Sequence, residues 1–388
     1  MFNAQSLKKF LRLYRSFSVR GGLYKGRVRS WDDFKRIPPS SRDDLKAFFT
    51  AGFVREAFNV TATSGSTASR ILIGHSCHAY EAHLGRLVKL YRHVGVQKGV
   101  LCLNLCAYEL NSGGRMMETA FKAAGAGVIP LGPISTPDKV LEAAHLIEQL
   151  KPVMINAYTN QLFDLFSVIG TKHSIRSCLV NGEPLWPDYR RRIEKMGGVS
   201  IHDHYGSMEF SGMAIALKPN DEYMKLVTDG LLLEVLDEST MASETGTGDL
   251  LVTDLDNTCM PFIRYRLGDK VTIKRAKGGL FIKVLGRSTD SILINGVVVI
   301  KQELVRVVND FLGHPRFFFV VDKHSHQYYD KLIVNVLGAI SKKCKGLGVV
   351  VTKTLGVDHC IQVRSYEGAI PRTINGKIRY FVDARRPA

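Results

Sequence analysis

A short segment rich in hydroxyl side chains contains the residue types that bind phosphate groups. Between Asn59 and Gly74 the chain is Asn-Val-Thr-Ala-Thr-Ser-Gly-Ser-Thr-Ala-Ser-Arg-Ile-Leu-Ile-Gly. Backbone N–H groups freed by a glycine, together with short hydroxyl donors, can solvate phosphate oxygens where water has been excluded. The segment lacks the ending of a Walker loop, and many such clusters are ordinary solvated turns. The candidate phosphate-binding residues are Thr63, Ser64, Gly65, Ser66 and Thr67.

Two motifs further along the chain suit a nucleotide and its metal ion. Gly182-Glu183-Pro184 follows an apolar run, which predicts a tight turn at the carboxyl end of a strand, where α/β sheets bind ligands. Tyr205, followed by Gly206, could cover an adenine ring. The carboxylate of Glu209 could hold Mg²⁺ against phosphate oxygens, because hard cations prefer oxygen ligands.

The last two motifs supply a carboxylate and an ammonium group. Asp269 stands beside a glycine and could accept hydrogen bonds from both hydroxyls of a ribose, and the arginines just before it suit phosphate or a paired carboxylate. Lys377 lies on a glycine-containing tip between Pro371 and Arg379. A lysine there can neutralise the charge that develops when a carboxylate attacks an α-phosphate and pyrophosphate departs.

Alternating helices and strands are predicted to position these motifs. Strands and helices of this length in alternation indicate parallel α/β layers. The predicted helices are Tyr80 to Val94, Arg115 to Ala124, Lys139 to Leu150 and Asn160 to Ile169. The predicted strands are Val100 to Cys106, Gly125 to Pro130, Val153 to Asn156 and Arg176 to Val180.

After about Leu226 the pattern changes to short β segments, which predict an antiparallel sheet or barrel attached to the α/β body. These segments are Gly230 to Leu236, Gly248 to Thr253, Phe262 to Tyr265, Val271 to Lys274 and Leu280 to Val284. A further boundary is expected near Gly286 and Arg287. The remaining residues, about 100 in number, fit a small α+β lid. Its predicted elements are a strand at Ser291 to Ile294, a helix at Gln302 to Phe311, strands at Phe317 to Val321 and Leu332 to Leu337, and a terminal loop.

Composition limits the class of protein and its partners. A chain of 388 residues is too long for one compact core, and 45% apolar with 23% charged residues is typical of globular proteins. The excess of 53 Lys and Arg over 36 Asp and Glu gives a net charge of +17, which suits polyanionic ligands such as nucleotides or coenzyme A. No zinc-finger or aromatic RNA-binding signature accompanies the basic residues, so nucleic acid is not an expected partner.

Cysteine usage and hydropathy predict a cytoplasmic protein with no membrane partner. The seven cysteines are odd in number and include no Cys-x-x-Cys pair, which favours reduced thiols. The segment from Met1 to Ser18 lacks the continuous apolar core of a signal peptide. No apolar run approaches the length of a transmembrane helix.

Taken in order, these motifs resemble the adenylate-forming superfamily of acyl-coenzyme A synthetases, peptide-synthetase adenylation domains and luciferases. Within it, the sequence is most similar to the branch of phenylacetate–coenzyme A ligase and coenzyme F390 synthetase. The likeness runs from about residue 30 to the C-terminus. The resemblance implies these roles: phosphate loop, Thr63 to Thr67; adenine site, Gly182, Glu183, Pro184, Tyr205 and Gly206; Mg²⁺ ligand, Glu209; ribose, Asp269 and Arg287; adenylation lysine, Lys377.

The resemblance also implies a fold and an activity. The expected fold class is α/β, with a large N-terminal domain of mixed α/β layers plus a small β-barrel-like part, and a small mobile α+β C-terminal domain. The expected bounds are residues 1–286 for the adenylating domain and 287–388 for the lid that carries Lys377.

The implied reaction uses ATP and Mg²⁺ to convert a carboxylic acid, by the branch an aromatic one, into an acyl-adenylate and pyrophosphate. Coenzyme A or a carrier protein's phosphopantetheine then takes the acyl group, after the small domain rotates about Arg287 to Asp290. Tyr108, Asn181 and Phe210 are expected to contact the acid. Expected partners are the small acid and, as further alternatives, an acyl carrier protein and a second copy in a homodimer.

Several residues depart from the family pattern and keep alternatives open. Ala68 replaces a loop glycine, Arg70 replaces a proline, and Thr289 stands where the hinge usually has an acid. Met208 removes a hydroxyl expected to contact the nucleotide phosphate. One alternative is adenylation alone, with the acyl-AMP passed to an amine or a reductase. The other is a degenerate homologue that binds nucleotide or acyl ligand without catalysis.

Overall fold

A computed structural model of the chain gives the fold, and it describes most but not all of the residues. The described residues are 1–21, 26–49, 56–63, 71–110, 113–183, 185–219, 221–239, 241–287, 291–294, 297–323, 330–338, 346–355, 361–373 and 377–385. Ser64 to Arg70, Pro184 and Ser288 to Asp290 therefore lie outside the described residues, and so do the predictions made for them.

Helices and strands alternate through the first half of the chain. The helices are α1 (Ala4–Gly21), α2 (Trp31–Lys35), α3 (Arg42–Phe49), α4 (Cys77–His93), α5 (Gly113–Ala123), α6 (Pro137–Leu150), α7 (Thr159–Ile169), α8 (Pro187–Gly197), α9 (Lys301–Leu312) and α10 (Leu347–Leu355).

The strands are β1 (Asn59–Ala62), β2 (Leu72–His75), β3 (Leu101–Asn104), β4 (Gly127–Ile129), β5 (Met154–Ala157), β6 (Ser177–Asn181), β7 (Ser200–Tyr205), β8 (Ala214–Ile215), β9 (Met224–Leu226), β10 (Leu231–Leu236), β11 (Ala242–Ser243), β12 (Gly246–Asp254), β13 (Tyr265–Ala276), β14 (Gly279–Arg287), β15 (Ser291–Ile294), β16 (Val297–Ile300), β17 (Phe317–Lys323), β18 (Asp330–Leu337), β19 (Ile361–Tyr366) and β20 (Phe381–Asp383).

The central feature is one mixed sheet in which the described residues place twelve strands. Its order is β11-β10-β12-β13-β14-β9-β8-β7-β6-β5-β3-β4. Strands β7, β6, β5, β3 and β4 are parallel, and the others join antiparallel. The predicted α/β class is confirmed. The short strands predicted as an attached antiparallel sheet continue the parallel sheet beyond β7.

Buried side chains cover both faces of the parallel strands, because continuous apolar runs such as β5 place residues on each face. One face packs against α6, α7 and α8 through a cluster that includes Ile155, Phe166 and Ile193. The other packs against α4 and α5 through a cluster that includes Leu87, Met117 and Leu179. The helices begin where local chemistry favours it: for example, Thr136 accepts a hydrogen bond from Lys139 N–H and precedes a proline at the first turn of α6.

The strand predicted at Phe262 to Tyr265 does not form before Tyr265. Arg264 has a φ of 47°, in the left-handed region that interrupts a strand. Its buried guanidinium forms a two-pronged ion pair with Glu234, at 3.0 Å and 3.2 Å, and donates to the Lys35 carbonyl. The local conformation is therefore fixed by a tertiary ion pair that local propensity does not reveal.

The C-terminal elements have a hydrophobic cluster of their own. It includes Leu304, Phe319 and Val334 and lies between α9, α10 and the four-stranded sheet β19-β18-β17-β20. The last segment was predicted to be a loop, but Phe381–Asp383 forms strand β20 parallel to β17. Helix α10 and strand β19 add to the elements predicted from the sequence.

In the part of the chain that the structure describes, no helix combines the length and the apolar character needed to cross a membrane. The cysteines in that part are free thiols: Cys77, Cys102, Cys106, Cys178 and Cys259.

Candidate active site

Thr63 pairs with Ile71 at the end of the β1–β2 hairpin, next to the hydroxyl-rich loop. Its backbone N–H donates to the Ile71 carbonyl at 3.0 Å, and its hydroxyl oxygen accepts from Ile71 N–H at 3.1 Å. The same hydroxyl accepts from Arg42 Nη2 at 2.7 Å. The Thr63 hydroxyl is therefore already hydrogen-bonded within the β1–β2 hairpin. Arg42 places a cation beside the residue at which the hydroxyl-rich loop begins. The predicted phosphate-binding residues Ser64, Gly65, Ser66 and Thr67 lie outside the described residues.

A hydrogen-bonded group joins Tyr205, Asp269 and Arg287. The Tyr205 hydroxyl donates to one oxygen of the Asp269 carboxylate at 2.7 Å, and Arg287 Nε donates to the other at 3.1 Å. Asp269 and Arg287 are cross-strand partners in β13 and β14, next to a bulge that alters the register. Burial and the Asp269 carboxylate both raise the pKa of the Tyr205 phenol. The structure thus brings together three residues that the sequence places 64 and 18 positions apart.

Glu209 lies close to this group and is 8% exposed. Its Oε1 accepts from the Tyr265 hydroxyl at 3.5 Å. Burial raises the pKa of Tyr265, as does the Glu209 carboxylate, and the charges of Arg42 and Arg287 oppose that rise. The charges of Arg42 and Arg287 therefore both act on Tyr265, the hydrogen-bond partner of Glu209. Against the effect of burial, the carboxylates of Asp269 and Glu209 raise the pKa of Arg287.

The carboxylate of Glu209 fits a magnesium ion that arrives with a nucleotide. Mg²⁺ in such sites is held by one or two carboxylates together with phosphate oxygens, so it does not require a protein cage. The described residues contain no group of three or more His, Cys, Asp or Glu side chains that could hold a metal ion.

Lys377 contacts the turn that follows strand β6. Its Nζ donates to the Gly182 carbonyl at 2.7 Å and lies 4.8 Å from the centre of the Tyr158 ring. Desolvation lowers the pKa of the Lys377 ammonium, and the nearby Glu183 carboxylate opposes this. A side chain at Gly182 would collide with the lysine, since an added Cβ would lie 2.4 Å from Nζ.

Glu183 links this turn to the C-terminal tip. The Asn160 backbone N–H donates to its carboxylate at 3.3 Å. The hydrogen-bond network orients the Asn160 amide so that Nδ2 donates to Glu183 at 3.0 Å and Oδ1 accepts from Arg372 at 2.6 Å. Burial raises the pKa of Glu183, against the charges of Lys377 and Arg372. Glu183 was predicted to line an adenine site, and here it lies beside the cations of the tip.

A second polar contact holds the C-terminal elements against α7. The Asp164 carboxylate accepts from Arg372 Nη2 and from Arg316 Nη2, each at 3.3 Å. Asp164 and Arg372 are 18% and 20% exposed at their side chains, so solvent screens this pair only in part. The two ion pairs keep the tip that carries Lys377 close to Gly182.

The three residues expected to contact an acid occupy different surroundings. Asn181 ends strand β6 and is mostly buried. The Tyr108 hydroxyl accepts from Asn104 Nδ2 at 2.7 Å. Phe210 is fully buried, with its ring centre 5.0 Å from that of Phe262, so its ring packs in the core beside the site.

Several residues of the site were not anticipated from the sequence: Arg42, Tyr158, Asn160, Asp164 and Arg372 take part through tertiary contacts. A signal was present for another set. Strands β3, β5 and β6 each carry an asparagine at or near the end of an apolar run, namely Asn104, Asn156 and Asn181. Because the carboxyl ends of parallel strands meet at one edge, that repetition could have predicted a polar row.

Comparisons with known proteins find similar sequences and similar folds. No protein-family model matches the chain. The phenylacetate–coenzyme A ligase of Thermus thermophilus is 24% identical over 315 residues, covering 76% of this chain and 70% of that protein. A solved 2-hydroxyisobutyryl-CoA ligase in the postadenylation state, bound to R3-HIB-AMP, has a TM-score of 0.79 at 19% identity, covering 98% and 87% of the two chains.

The same ligase has also been solved in its thioesterification state, in complex with 2-HIB-AMP and CoA. In that state its TM-score is 0.68 at 20% identity, with 98% of this chain and 89% of that chain covered. By sequence this chain is therefore similar to phenylacetate–coenzyme A ligases, and it has the fold of adenylate-forming ligases, as its motifs predict.

Proposed function

We propose that the protein is an AMP-forming acid–thiol ligase, which activates a carboxylic acid with ATP and Mg²⁺ and transfers the acyl group to a thiol. The observation that carries the proposal is the position of Lys377. Its ammonium lies at Gly182, just after strand β6, and strand β7 beside it ends at Tyr205. Desolvation and the charge of Arg287, which pairs with Asp269, both lower the pKa of the same ammonium. Homology to coenzyme A ligases over 76% of the chain supports the same reaction.

In the first half-reaction, a carboxylate oxygen of the acid attacks the α-phosphorus of ATP, and the bond to pyrophosphate breaks. Negative charge grows on the phosphate oxygens, and a fixed ammonium stabilises it. We assign that role to Lys377. When bound, Mg²⁺ neutralises charge on the phosphates, and Glu209 is the residue placed to hold it.

Tyr205, Asp269 and Arg287 would hold the nucleoside. The Tyr205 ring is fixed by its hydrogen bond to Asp269, which leaves a flat face for the adenine. A carboxylate has about four acceptor positions, so Asp269 can receive the ribose hydroxyls in addition to Tyr205 and Arg287. Gly182, Glu183 and Gly206 would border the base, and the hydroxyl-rich loop would bind phosphate.

The lid arrangement suits the adenylating step. The chain is more similar in shape to the ligase solved in the postadenylation state, with a TM-score of 0.79, than to the same ligase in the thioesterification state, with 0.68. We propose that residues 1–286 form the adenylating domain and that residues 287–388 form a lid. Rotation of the lid would withdraw Lys377 and admit the thiol of coenzyme A or of a carrier protein.

The acid is proposed to be aromatic, because the sequence relatives act on phenylacetate by name. Acid-dependent ATP–pyrophosphate exchange across a panel of aryl and fatty acids tests the first step. Lys377→Ala should lower the exchange rate by about 100-fold or more, which is typical for loss of a group that stabilises transition-state charge. Lys353→Ala is the matched control, because Lys353 is an exposed lysine of the same C-terminal part.

Adding coenzyme A then separates the enzymatic alternatives. Formation of a thioester supports the ligase, whereas exchange without thioester supports adenylation that serves an amine or a reductase. A degenerate binder would bind ATP without exchange. Met208 favours that alternative, since its side chain packs against the core cluster instead of offering a hydroxyl to the nucleotide. Acid-dependent exchange by the wild type would refute it.

A further inference from the structure

Three asparagine side chains form a row across the carboxyl ends of strands β3, β5 and β6. Asn156 Nδ2 donates to Asn104 Oδ1 at 2.8 Å, and Asn181 Nδ2 donates to Asn156 Oδ1 at 3.2 Å. Asn104 and Asn156 are fully buried, while Asn181 keeps 8% of its surface exposed. The row therefore runs from the protein interior to an accessible end at Asn181.

Backbone groups fix the direction of every amide in this row. Asn104 Nδ2 donates to the Gly114 carbonyl at 2.9 Å, and Asn104 Oδ1 accepts from the Cys106 N–H at 3.3 Å. A carbonyl can only accept and a backbone N–H can only donate, so Asn104 has one satisfactory orientation. That orientation requires Asn156 to present Nδ2 to Asn104, and Asn181 to present Nδ2 to Asn156.

Two sulfur atoms favour the same direction. Asn156 Nδ2 lies 3.1 Å from Met117 Sδ and 3.3 Å from Cys106 Sγ. Asn181 Nδ2 lies 3.7 Å and 3.6 Å from the same two atoms. A thioether carries no proton and can only accept, so the Met117 sulfur would face an oxygen if either amide were reversed. The amide nitrogens thus point into the row, and the carbonyl oxygen of Asn181 is left at its open end.

The open end of the row lies beside the lysine assigned to adenylation. Asn181 immediately precedes Gly182, whose carbonyl accepts from Lys377 Nζ. Burial raises the pKa of the Cys106 thiol to about 11, and Asn181 and the charge of Lys377 both oppose that rise. Among the residues that the structure describes, Asn181 Oδ1 accepts no hydrogen bond, although the Nδ2 of the same amide is fully used.

We infer that Asn181 selects acids which carry a hydrogen-bond donor, a hydroxyl or amino group, in addition to the carboxylate. This inference rests on the proposed function, because the carboxylate must lie near Lys377 for the acyl group to meet Asn181. The fixed amide offers only an acceptor there, since the row prevents Asn181 from turning its nitrogen outward. An apolar acyl group would leave that acceptor dehydrated and unpaired, which should lower kcat/KM for such an acid by roughly 5- to 150-fold.

Matched pairs of acids test the inference. We would measure kcat/KM for ATP–pyrophosphate exchange with phenylacetate and its three monohydroxy derivatives, and with benzoate and its hydroxy and amino derivatives. The expected result is that at least one donor-bearing acid exceeds its unsubstituted parent by about 10-fold or more, which is the size of one such hydrogen bond. Methyl-substituted acids control for size, because they fill a similar volume without a donor.

A variant then ties the preference to the residue. Asn181→Leu keeps the approximate volume and removes the acceptor, so the ratio of kcat/KM for the preferred acid to kcat/KM for its unsubstituted parent should fall to about one, whatever the change in the absolute rates. Asn335→Leu is the matched control, because Asn335 is a comparably buried asparagine, 7% exposed, in strand β18. It should leave the preference unchanged. A preference ratio measured within one variant is independent of the fraction of protein that is folded.

The outcomes separate this inference from the proposed function. Exchange that is as fast with every unsubstituted or methylated acid as with its donor-bearing partner overturns the inference and leaves the ligase proposal in place. A preference that survives Asn181→Leu also overturns it. Absence of exchange with any acid overturns both proposals.

Discussion

The contact between Lys377 and Gly182 makes one substitution especially informative. Gly182 has a φ of 69°, and an added Cβ would lie 2.4 Å from Lys377 Nζ and 3.1 Å from Cε. Gly182→Ala should therefore displace the ammonium from the Gly182 carbonyl. The fold should survive, because the colliding atoms are the end of a flexible side chain and the Tyr158 ring is at an ordinary contact distance of 3.5 Å.

The expected size follows from two separate effects. A non-glycine residue in the left-handed region costs roughly 1–2 kcal/mol of stability. A hydrogen bond from a charged group contributes about 1.5–3 kcal/mol, so its loss corresponds to a decrease of roughly 10- to 150-fold in the adenylation rate. Only the second effect acts on the ammonium of Lys377.

Gly170 separates the two effects. It also has a positive φ, 58°, but an added Cβ there would have no heavy atom within 4 Å. Gly170→Ala should lower stability in thermal unfolding through backbone strain alone, without the loss of ATP–pyrophosphate exchange. In a Lys377→Ala background, Gly182→Ala should lower exchange no further, because the group that it displaces is already gone.

The reasoning is refuted if folded Gly182→Ala exchanges as fast as Gly170→Ala. It is also refuted if the Gly182 and Lys377 substitutions are fully additive, because the glycine would then act on exchange without the lysine.

Three further predictions concern the surroundings of the site. Asp164→Asn should weaken both arginine contacts that hold the C-terminal tip and lower the rate of ATP–pyrophosphate exchange by about 5-fold, corresponding to about 1 kcal/mol. The control is Glu142→Ala, which breaks an exposed ion pair on α6 and should not change that rate. Tyr205→Phe removes the hydrogen bond to Asp269, the carboxylate proposed to bind ribose, and keeps the ring. KM for ATP should therefore rise about 3- to 10-fold at unchanged melting temperature, and an unchanged KM would contradict the assigned role. Burial raises the pKa of the Asp203 carboxyl to about 6, above its usual value of about 4. This carboxyl therefore destabilises the fold increasingly as the pH rises from about 4 to about 6, and it has no such effect at lower pH. Asp203→Asn should therefore raise the free energy of unfolding at pH 7.5, by at most about 3 kcal/mol, and leave it unchanged near pH 3.5. Denaturant titrations at the two pH values measure this difference, with the exposed Asp188→Asn variant as the control. An equal gain in stability at the two pH values would contradict the raised pKa of Asp203.

The sequence by itself determined the order of the elements and the types of chemical group. Apolar runs separated by helical patterns predicted the parallel strands, because strand and helix periodicity depend on the local chain. Motif order predicted the superfamily likeness and the resemblance to phenylacetate–coenzyme A ligase, which the comparisons confirm. The individual roles of Glu209, Asp269 and Lys377 remain predictions that the experiments above test.

Only the tertiary structure decided which groups meet. Arg42 reaches Thr63, Arg372 reaches Asp164, and Lys377 reaches a carbonyl 195 residues away. The first pairing arises from the packing of α3 against the β1–β2 hairpin, and the other two arise from the packing of α7 and the sheet edge against the C-terminal elements. They leave no periodic pattern in the chain, since each depends on one side chain from each partner.

The asparagine row shows the same division. The sequence displays an asparagine near the end of three apolar strands, and this is enough to predict a polar sheet edge. It cannot tell which way each amide points. That choice is fixed by the Gly114 carbonyl and the Cys106 N–H, which the fold brings to one end of the row, and it decides that the other end presents an oxygen.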